Sequence, residues 1–395
     1  MDIRRHLIGG LLAGAVLAPA VAQADAPKWY DKLSLTGYAA SDYEFWINQP
    51  AAVASAGATV PGRVFDAKAN AFDYTGELSL GYADSGAGTA ATVDLLFGTV
   101  GAVVNGVGLT ATAGITPTLG QVYISQSFGP LTLDLGKFAT PVGYETWNPT
   151  ANANWSRSMT YSLEPFFQTG VKLDYAGPMG ISANVWLDNG NSIDPNSNAN
   201  LDNGKGWGVA LGYTGVKGLA VNAQFYSSDA NLYSNTGFNF NGPWFDTNDM
   251  IGVNAAYTLN DSLSFAAEYL YTTMLDGTPS NFGPPAYSPK AQAFALYTTY
   301  NTPVKNLTVS GRWEQVNSPD AYGFYPWLGT GNAHNVGLPD LTLDSYTATI
   351  KYAMGPVTDI LEYRADAANS EDFTNGDGST TKIDQTVTIA ATYGF

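Results

Sequence analysis

Groups able to do acid–base or nucleophilic chemistry are scarce in this chain of 395 residues, which has no Cys and two His. Acyl and proton transfer in proteins usually need a His beside a Ser or an acid. His6 falls in the N-terminal segment discussed below, and His334 lies in a Gly- and Asn-rich stretch, 329–335, with no defined partner. A solvated loop residue is the favoured interpretation of His334. Paired carboxylates show no recognisable catalytic spacing either, so the sequence predicts a protein that is not an enzyme.

Metal and nucleotide motifs are equally weak. The Asx-rich stretches 188–198 and 375–378 could bind calcium, but both lack the central Gly and closing Glu of an EF-hand. A hydrophilic exposed loop is the favoured alternative for each. The glycines of 101–108 lack the Lys and Ser or Thr that complete a phosphate-binding loop. We therefore predict no metal and no cofactor.

The charge balance limits the classes of partner that the protein could bind. Lys and Arg number 17 against 34 Asp and Glu, a net charge of −17. A chain this acidic and without a basic patch repels phosphate backbones, which excludes nucleic acid as a partner. Only 13% of the residues are charged, about half of the 25% that is usual in globular proteins. With a mean hydropathy of −0.08, the chain fits neither a water-soluble domain nor a helical membrane protein.

The N-terminus has the pattern of a secretory leader. Arg4 and Arg5 precede an apolar stretch, 7–21, which ends in the cleavage pattern Ala22-Gln23-Ala24. A transmembrane anchor is the alternative, but the stretch is short and interrupted by Gly and Pro. We expect residues 1–24 to be a signal peptide that is cleaved on export, and residues 25–395 to form one domain.

Most of the remaining chain alternates apolar and polar residues with the period of two that predicts β-strands. In 131–135, for example, three Leu share one face, while Thr132 and Asp134 share the other. No segment repeats its apolar residues at helical spacing. Sixteen strand segments are predicted, near 33–45, 72–82, 89–97, 121–128, 131–138, 169–175, 180–189, 206–213, 219–229, 250–258, 263–273, 290–300, 307–316, 342–353, 357–365 and 383–395.

The connections between these segments alternate in length. Tight turns such as 129–130, 177–178 and 355–356 alternate with loops of roughly 16 to 30 residues, as in bacterial outer-membrane barrels. A soluble β-sandwich would not segregate loop lengths in this way. The predicted fold is all-β, a transmembrane antiparallel β-barrel of about 16 strands with short periplasmic turns and long extracellular loops. The bacterial outer membrane is the expected location.

Aromatic residues support this fold. In the last segment, Tyr393 and Phe395 share a face with alternate apolar residues. An aromatic last residue in this pattern resembles the assembly signal of outer-membrane barrels, so the barrel-assembly machinery is an expected partner. Aromatics close to other strand ends fit girdles at the membrane interface, although each alone is more often ordinary packing: Tyr82, Phe128, Tyr175, Tyr213, Tyr257, Tyr300 and Tyr352.

One segment has a pattern known from other proteins. It contains Gly136-Lys137-Phe138-Ala139-Thr140-Pro141-Val142-Gly143-Tyr144-Glu145, then Asn154-Trp155-Ser156-Arg157-Ser158, then Pro165-Phe166-Phe167-Gln168-Thr169-Gly170. This segment resembles the β-barrel porin family of OmpL-like outer-membrane proteins, and the first strand, 33–38, and the terminal Phe395 agree. The resemblance implies a porin, a water-filled channel for passive diffusion of small hydrophilic solutes or ions.

The resemblance also implies where the pore is narrow. In general porins the third outer loop folds into the lumen, and here that loop is 139–168. The constriction candidates are Glu145, Arg157, Glu164, Asn148, Asn152 and Asn154, with Trp147 and Trp155 beside them. The alternative is that Arg157 pairs with Glu145 or Glu164 only to pin the loop against the wall, and one residue could do both.

Strand parity nominates pore-wall residues, because the polar face of each strand points into the lumen if the apolar face meets lipid. These candidates are Glu77, Asp94, Asp134, Lys172, Asp174, Asp188, Glu268, Arg312, Glu314, Lys351, Glu362 and Arg364. Eight acids against four bases predict a mild preference for cations. Alternatively, wall charges pair across neighbouring strands, and loop acids bind divalent cations at the lipopolysaccharide surface.

Two functions remain open from the sequence. The first is the diffusion channel, with small hydrophilic solutes as its cargo. The second is a non-conducting surface barrel that serves adhesion or envelope integrity through its long loops. Outer-membrane lipid and lipopolysaccharide are expected partners of either one. Analogy with general porins adds a possible homotrimer.

Overall fold

The computed structural model describes residues 29–47, 63, 65, 70–104, 117–190, 205–228, 247–275, 290–318, 341–371, 373–375, 377 and 379–395. The expected signal peptide, 1–24, lies outside this part of the chain, and so does His334. Among the described helices, none is long and apolar enough to cross a membrane.

Sixteen antiparallel strands close one barrel, in which β1 pairs with β2 on one side and with β18 on the other. Two further strands, β16 (Phe373–Thr374) and β17 (Thr380–Thr381), form a separate two-stranded pair. The barrel strands are β1 (Leu33–Trp46), β2 (Ala71–Asp84), β3 (Thr89–Phe97), β4 (Thr118–Phe128), β5 (Leu131–Ala139), β6 (Phe167–Ala176), β7 (Ile181–Asp188), β8 (Gly206–Tyr213), β9 (Leu219–Ser228), β10 (Thr247–Thr258), β11 (Leu263–Leu275), β12 (Lys290–Asn301), β13 (Leu307–Ser318), β14 (Leu341–Met354), β15 (Val357–Ala368) and β18 (Ile383–Gly394).

The predicted barrel is confirmed. Each of the sixteen predicted segments coincides with a barrel strand to within three residues at either end. Seven connections of two to five residues alternate with eight of 14 to 27 residues. All the short connections therefore lie at one end of the barrel, here named the short-turn end, and the long ones at the opposite, long-loop end.

The expectation that no segment is helical is wrong at one place. Helix α1 (Gly98–Val104) follows β3, and short 3₁₀ helices span Trp29–Lys32, Tyr161–Leu163 and Pro178–Gly180. Six of the seven residues of α1 are buried. A helix that is apolar on all sides has no polar face, and so its sequence lacks the amphipathic period by which a helix is recognised.

The two faces of the barrel wall differ in polarity. Leu361 and Ile389 are 47% and 63% exposed on the outer face, whereas their neighbours Glu362 and Thr388 are buried on the inner face. This contrast follows from the strand geometry, in which successive side chains point to opposite faces. An outer wall this apolar is suited to lipid, and an inner wall this polar is suited to water or to hydrogen-bonding chain.

Chain from the loops occupies much of the barrel interior. Met159 and Leu163, from the connection between β5 and β6, belong to one buried apolar cluster with wall residues such as Trp46 and Leu270. Phe65, from the connection between β1 and β2, belongs to a second cluster with residues of α1, such as Val100 and Val104. Part of the inner wall therefore faces these inserted segments.

Candidate functional site

The connection 140–166, here named the inner loop, lies inside the barrel. Residues 154–165 are all buried, and the loop forms hydrogen bonds with inward-facing side chains of six strands: β1, β2, β10, β13, β14 and β15. A loop folded outward could not reach these strands together. The loop that the resemblance nominates as a constriction is thus enclosed by the wall.

Arg312 of β13 is the centre of the strongest attachment. Its guanidinium lies 3.0 Å from Glu145 of the inner loop and 2.8 Å from Glu314 two residues along its own strand. It also donates to the carbonyl oxygen of Ser156 at 2.6 Å. All three charged side chains have 2% exposure or less. Burial of a cation costs much free energy unless it is paired and fully hydrogen-bonded, and here the inner loop supplies part of the pairing.

The carboxylates of this triad also bind the backbone of the inner loop. Glu145 accepts a hydrogen bond from the amide of Ser158 at 2.6 Å, and Glu314 accepts one from the amide of Met159 at 2.6 Å. A charged acceptor makes such bonds about twice as strong as neutral ones. The loop backbone at 158–159 is therefore fixed by the same two carboxylates that neutralise Arg312.

Glu362 of β15 binds the backbone of the inner loop at residues 155 and 156. Its two oxygens accept the amides of Trp155 and Ser156 at 2.6 and 2.9 Å, and Thr349 donates to it at 2.7 Å. Arg364, two residues further along β15, donates to the carbonyl oxygen of Arg157 at 2.9 Å. Acids and bases of the wall thus bind loop donors and acceptors in turn, because alternate residues of one strand point inward.

Further attachments lie on β14, closer to the short-turn end. Lys351 donates to the carbonyl oxygen of Asn152 at 2.6 Å, and Asn154 donates to Thr349 at 2.6 Å. Asn152 also closes a turn inside the loop, since it accepts from the amide of Thr146 at 3.0 Å. Two of the asparagines nominated as constriction candidates therefore shape the loop and attach it to the wall.

The inner loop is also attached to strands on either side of β13–β15 in the ring. Trp147 donates its indole N–H to Glu77 of β2 at 3.0 Å, and Trp155 donates to Asp42 of β1 at 2.9 Å. Asn254 of β10 donates to the carbonyl oxygen of Gly143 at 3.0 Å. Attachments to β1 and β2, to β10 and to β13–β15 mean that the loop bridges the lumen instead of following one wall.

Arg157 does not have the partners that the pinning alternative names. Glu145 pairs with Arg312, while Arg157 donates to the carbonyl oxygen of Trp147 and lies 4.5 Å from the ring centre of Phe65. The ring of Phe65 in turn contacts the ring of Tyr161, 5.8 Å away between centres. Pinning to the wall is observed, but through Arg312 and Arg364 of the wall.

Glu164 forms an unusual contact with Glu268 of β11. Both side chains are nearly fully buried, and neither carboxylate oxygen of Glu164 has a hydrogen-bond donor among the described residues. Burial, followed by repulsion from Glu268 and Glu145, raises the pKa of Glu164 well above its ordinary value. Ionisation of both carboxyl groups at this short separation is costly, which favours the protonated form of Glu164.

Gly143 makes room for this pair. Its φ of +95° is in the region that favours glycine, and a Cβ at this position would overlap the carboxylate of Glu164. The glycine of the family-like segment is thus explained by the close approach of the loop to its own acidic side chain.

All twelve pore-wall candidates lie on the inner face of the barrel, and most have partners there. Lys172 lies 3.0 Å from both Asp134 and Asp174. Asp94 accepts from Gln121 at 2.5 Å, and Asp188 accepts from Tyr226 and from the amide of Gly190 at 3.1 and 2.6 Å. The alternative that wall charges pair across strands therefore describes a large part of this wall.

The remaining candidates lie near the short-turn end. Asn148 is half-buried and accepts hydrogen bonds from the amide and hydroxyl groups of Thr150, at 2.9 and 2.7 Å. Phe395 exchanges backbone hydrogen bonds with Gly37 of β1, at 3.0 and 3.1 Å. Tyr393 and Phe395 are about half exposed on the outer face, at 48% and 54%.

Arg63 is an inward-facing residue that the sequence analysis did not nominate. It lies 2.7 Å from Asp366, 3.4 Å from Glu44 and 3.6 Å from Asp384, and 4.8 Å from the ring centre of Trp46. The three acids have the inward parity of β15, β1 and β18, so the parity argument could have found them. Arg63 itself lies in a connection without periodicity, and no pattern marks it.

An apolar outer wall, a closed ring of sixteen strands and a loop bound across a charged lumen define a porin-type barrel of the bacterial outer membrane. The chain belongs to the family described as "Putative beta-barrel porin-2, OmpL-like", whose family model matches residues 32–395. The resemblance noted from the sequence is thereby confirmed. No curated protein matches the chain significantly.

Solved structures share the fold at low sequence identity. OmpF of Salmonella typhi, in complex with daunomycin, is 16% identical with a TM-score of 0.59, over 92% of this chain and 97% of that one. An anion-selective porin from Comamonas acidovorans is 10% identical with a TM-score of 0.57, over 92% and 99%. The in-vitro folded trimer form of OmpT, an outer membrane protein of Vibrio cholerae, is 13% identical with a TM-score of 0.55, over 92% and 99%.

Proposed function

We propose that the protein is a passive diffusion channel for small hydrophilic solutes, with the inner loop as its constriction and a mild preference for cations. The observation that carries the proposal is the inner loop itself, which crosses the lumen and is attached to several sectors of the wall. A loop fixed in this way sets a constant pore cross-section, whereas a free loop would fluctuate in and out of the path.

The selectivity proposal depends on which wall acids keep an uncompensated charge. Asp134, Asp174 and Glu314 are ion-paired, and Glu362 is used by loop amides. Glu77, by contrast, accepts a neutral indole N–H and has no cationic partner among the described residues. Fewer acids than the sequence count therefore act on a passing ion, which favours a weak rather than a strong cation preference. An anion-selective porin shares this fold, so the charges decide the sign and the architecture does not.

Planar bilayers test both parts of this proposal. Refolded protein should give stepwise conductance, and its reversal potential in a KCl gradient should have the cation-selective sign. Replacement of Glu77 by Gln should shift that potential towards zero. Absence of any conductance from folded protein would contradict the channel, and an anion-selective potential would contradict the selectivity alone.

A non-conducting barrel is the second candidate, and one observation favours it. Residues 154–165 of the inner loop are all buried, as expected of a segment that fills its lumen. Wild-type protein without conductance would support this candidate if a variant with a detached inner loop, such as Arg312→Gln, did conduct. A silent variant would instead indicate an obstruction elsewhere in the barrel.

The remaining expectations belong to the same proposal. Residues 1–24 would direct export and be removed, the short-turn end would face the periplasm, and the long-loop end would face lipopolysaccharide. Tyr393 and Phe395 would contact the barrel-assembly machinery, and three copies would form a trimer. The chain would act as a channel and not as an enzyme. Mass spectrometry of the mature N-terminus tests the cleavage, and mass spectrometry of the intact oligomer tests the trimer.

A further inference from the structure

A cavity of about 340 Å³ lies at the short-turn end, between the tip of the inner loop and the wall around the junction of β1 and β18. Its size is within the range of small-molecule sites. The loop contributes Asn148 and Thr150, and the wall residues in the lining include Thr36, Tyr38, Glu77, Thr358, Thr392 and Gly394.

Strand register explains why this space is open. Tyr38 is the direct partner of Glu77 on β2 and of Gly394 on β18, and Thr392 is the direct partner of Thr358 on β15. Gly394 has the inward parity of its strand but no side chain to fill the interior. A Cβ built on Gly394 would meet no heavy atom within 4 Å. The missing side chain thus leaves a gap in the inner lining beside Tyr38.

The lining has unused hydrogen-bonding capacity. Tyr38 is only 4% exposed, and its ring closes one side of the space. Three threonine hydroxyls, those of Thr36, Thr358 and Thr392, lie on the same inner surface. Such a surface matches a ligand that carries several hydroxyl groups.

The charge of the lining is one-sided. Glu77 is the one carboxylic side chain among the lining residues, and no Lys or Arg is among them. One carboxylate oxygen of Glu77 binds the indole of Trp147 at 3.0 Å, which orients the group from the loop side. The other oxygen can accept a further hydrogen bond, and a charged donor would make the stronger one.

We propose that this cavity is a binding subsite for a small hydroxylated organic cation, in which Glu77 binds a protonated amine and the hydroxyls of the threonines bind the hydroxyl groups of the ligand. The subsite deepens the proposed channel function, because it lies in the lumen between the constriction and the short-turn end. It gives the mild cation preference a definite location and a preferred size of solute.

Isothermal titration calorimetry on the full chain in detergent micelles tests the proposal with two linear polyols, D-glucamine and D-glucitol. They differ in one group, an amine in place of a hydroxyl. We expect D-glucamine to bind about tenfold more tightly, as is typical of a charge-assisted hydrogen bond. Glu77→Gln should remove the difference, because glutamine keeps an acceptor for Trp147 but has no charge.

Two further variants separate the site from other carboxylates and from folding. Gly394→Leu should weaken both ligands, since its side chain enters open space and fills the cavity. Glu371→Gln, at an exposed carboxylate outside this lining, is the matched control and should change neither affinity. Equal binding of the two polyols, no binding of either one, or discrimination that persists in Glu77→Gln would overturn the proposal. The assay requires no conduction, so a subsite without conductance would contradict the channel alone.

Discussion

Replacing Arg312 with Gln is expected to detach the inner loop from the wall while the barrel stays closed. The guanidinium pairs with Glu145 and Glu314 and donates to the carbonyl oxygen of Ser156. Glutamine keeps one donor group and loses the charge. Two buried carboxylates then remain without their cation. Their uncompensated charge destabilises the docked conformation of the loop.

The size of the effect follows from the burial of the triad. Removing one partner of a buried ion pair costs about 3–5 kcal/mol, because it leaves an uncompensated charge. At about 1.4 kcal/mol per factor of ten, the docking equilibrium shifts by about two to four powers of ten. The strands are hydrogen-bonded independently of Arg312, so the cost falls on the loop and not on barrel closure.

Limited proteolysis reads this equilibrium directly. Arg157 is the one Lys or Arg in 140–166, and it is only 4% exposed. Trypsin should leave this bond intact in the wild type and cleave it in Arg312→Gln, giving two fragments that mass spectrometry identifies. Lys217→Gln, which removes one positive charge from an exposed turn, is the charge-matched control and should stay protected.

A triple variant distinguishes the effect of the uncompensated buried charges from the effect of the lost hydrogen bonds. Changing Glu145, Arg312 and Glu314 together to Gln removes the uncompensated carboxylates, and buried ion pairs replaced by neutral groups are often tolerated. We expect this variant to be cleaved more slowly than Arg312→Gln. Protection of Arg157 in a folded Arg312→Gln protein would refute the reasoning, and so would a triple variant cleaved faster than the single one.

Three further outcomes are expected. Glu362→Leu should speed hydrogen exchange at the amides of Trp155 and Ser156, because it removes their acceptor, at a cost of about 1.5–3 kcal/mol per charged hydrogen bond; unchanged exchange would contradict this role. The raised pKa of Glu164 makes the docked loop most stable below the ordinary carboxyl pKa and less stable as the pH rises through the raised value. Trypsin cleavage at Arg157 should therefore increase with pH above the ordinary carboxyl range, and Glu164→Gln should abolish that increase. Gly143→Ala should increase open-channel noise in bilayers, since the added methyl overlaps the carboxylate of Glu164; a quiet variant would show that the loop accommodates it.

The barrel was predictable because its information is local. A period of two assigns each residue to a face, and Glu362 or Arg312 could be placed inside without knowing any partner. Partners were not predictable in the same way. Glu145 meets Arg312 from 167 positions away, and no spacing rule links a loop residue to a distant strand. The predicted pairing of Arg157 with Glu145 is wrong for this reason.

Helix α1 and Arg63 were missed for a different reason. The helix has almost no polar residue, so its pattern has no period to detect. Arg63 lies in a connection whose sequence has no repeating pattern, and its acids come from strands at both ends of the chain. Inserted segments derive their conformation from the cavity that receives them, and only the finished barrel supplies that cavity.

The three acids around Arg63 belong to β1, β15 and β18, which are the first strand and the last two strands of the barrel. Until the C-terminal strand docks, this guanidinium has only part of its final set of partners. The contact with Asp384 joins residues more than 300 positions apart, and contacts between such distant segments form late because loop closure must come first. Arg63 therefore stabilises the junction between the first and the last strands from inside the barrel. It makes all of its ion pairs only after the barrel has closed. Closure of the barrel and filling of its interior would then be one cooperative event.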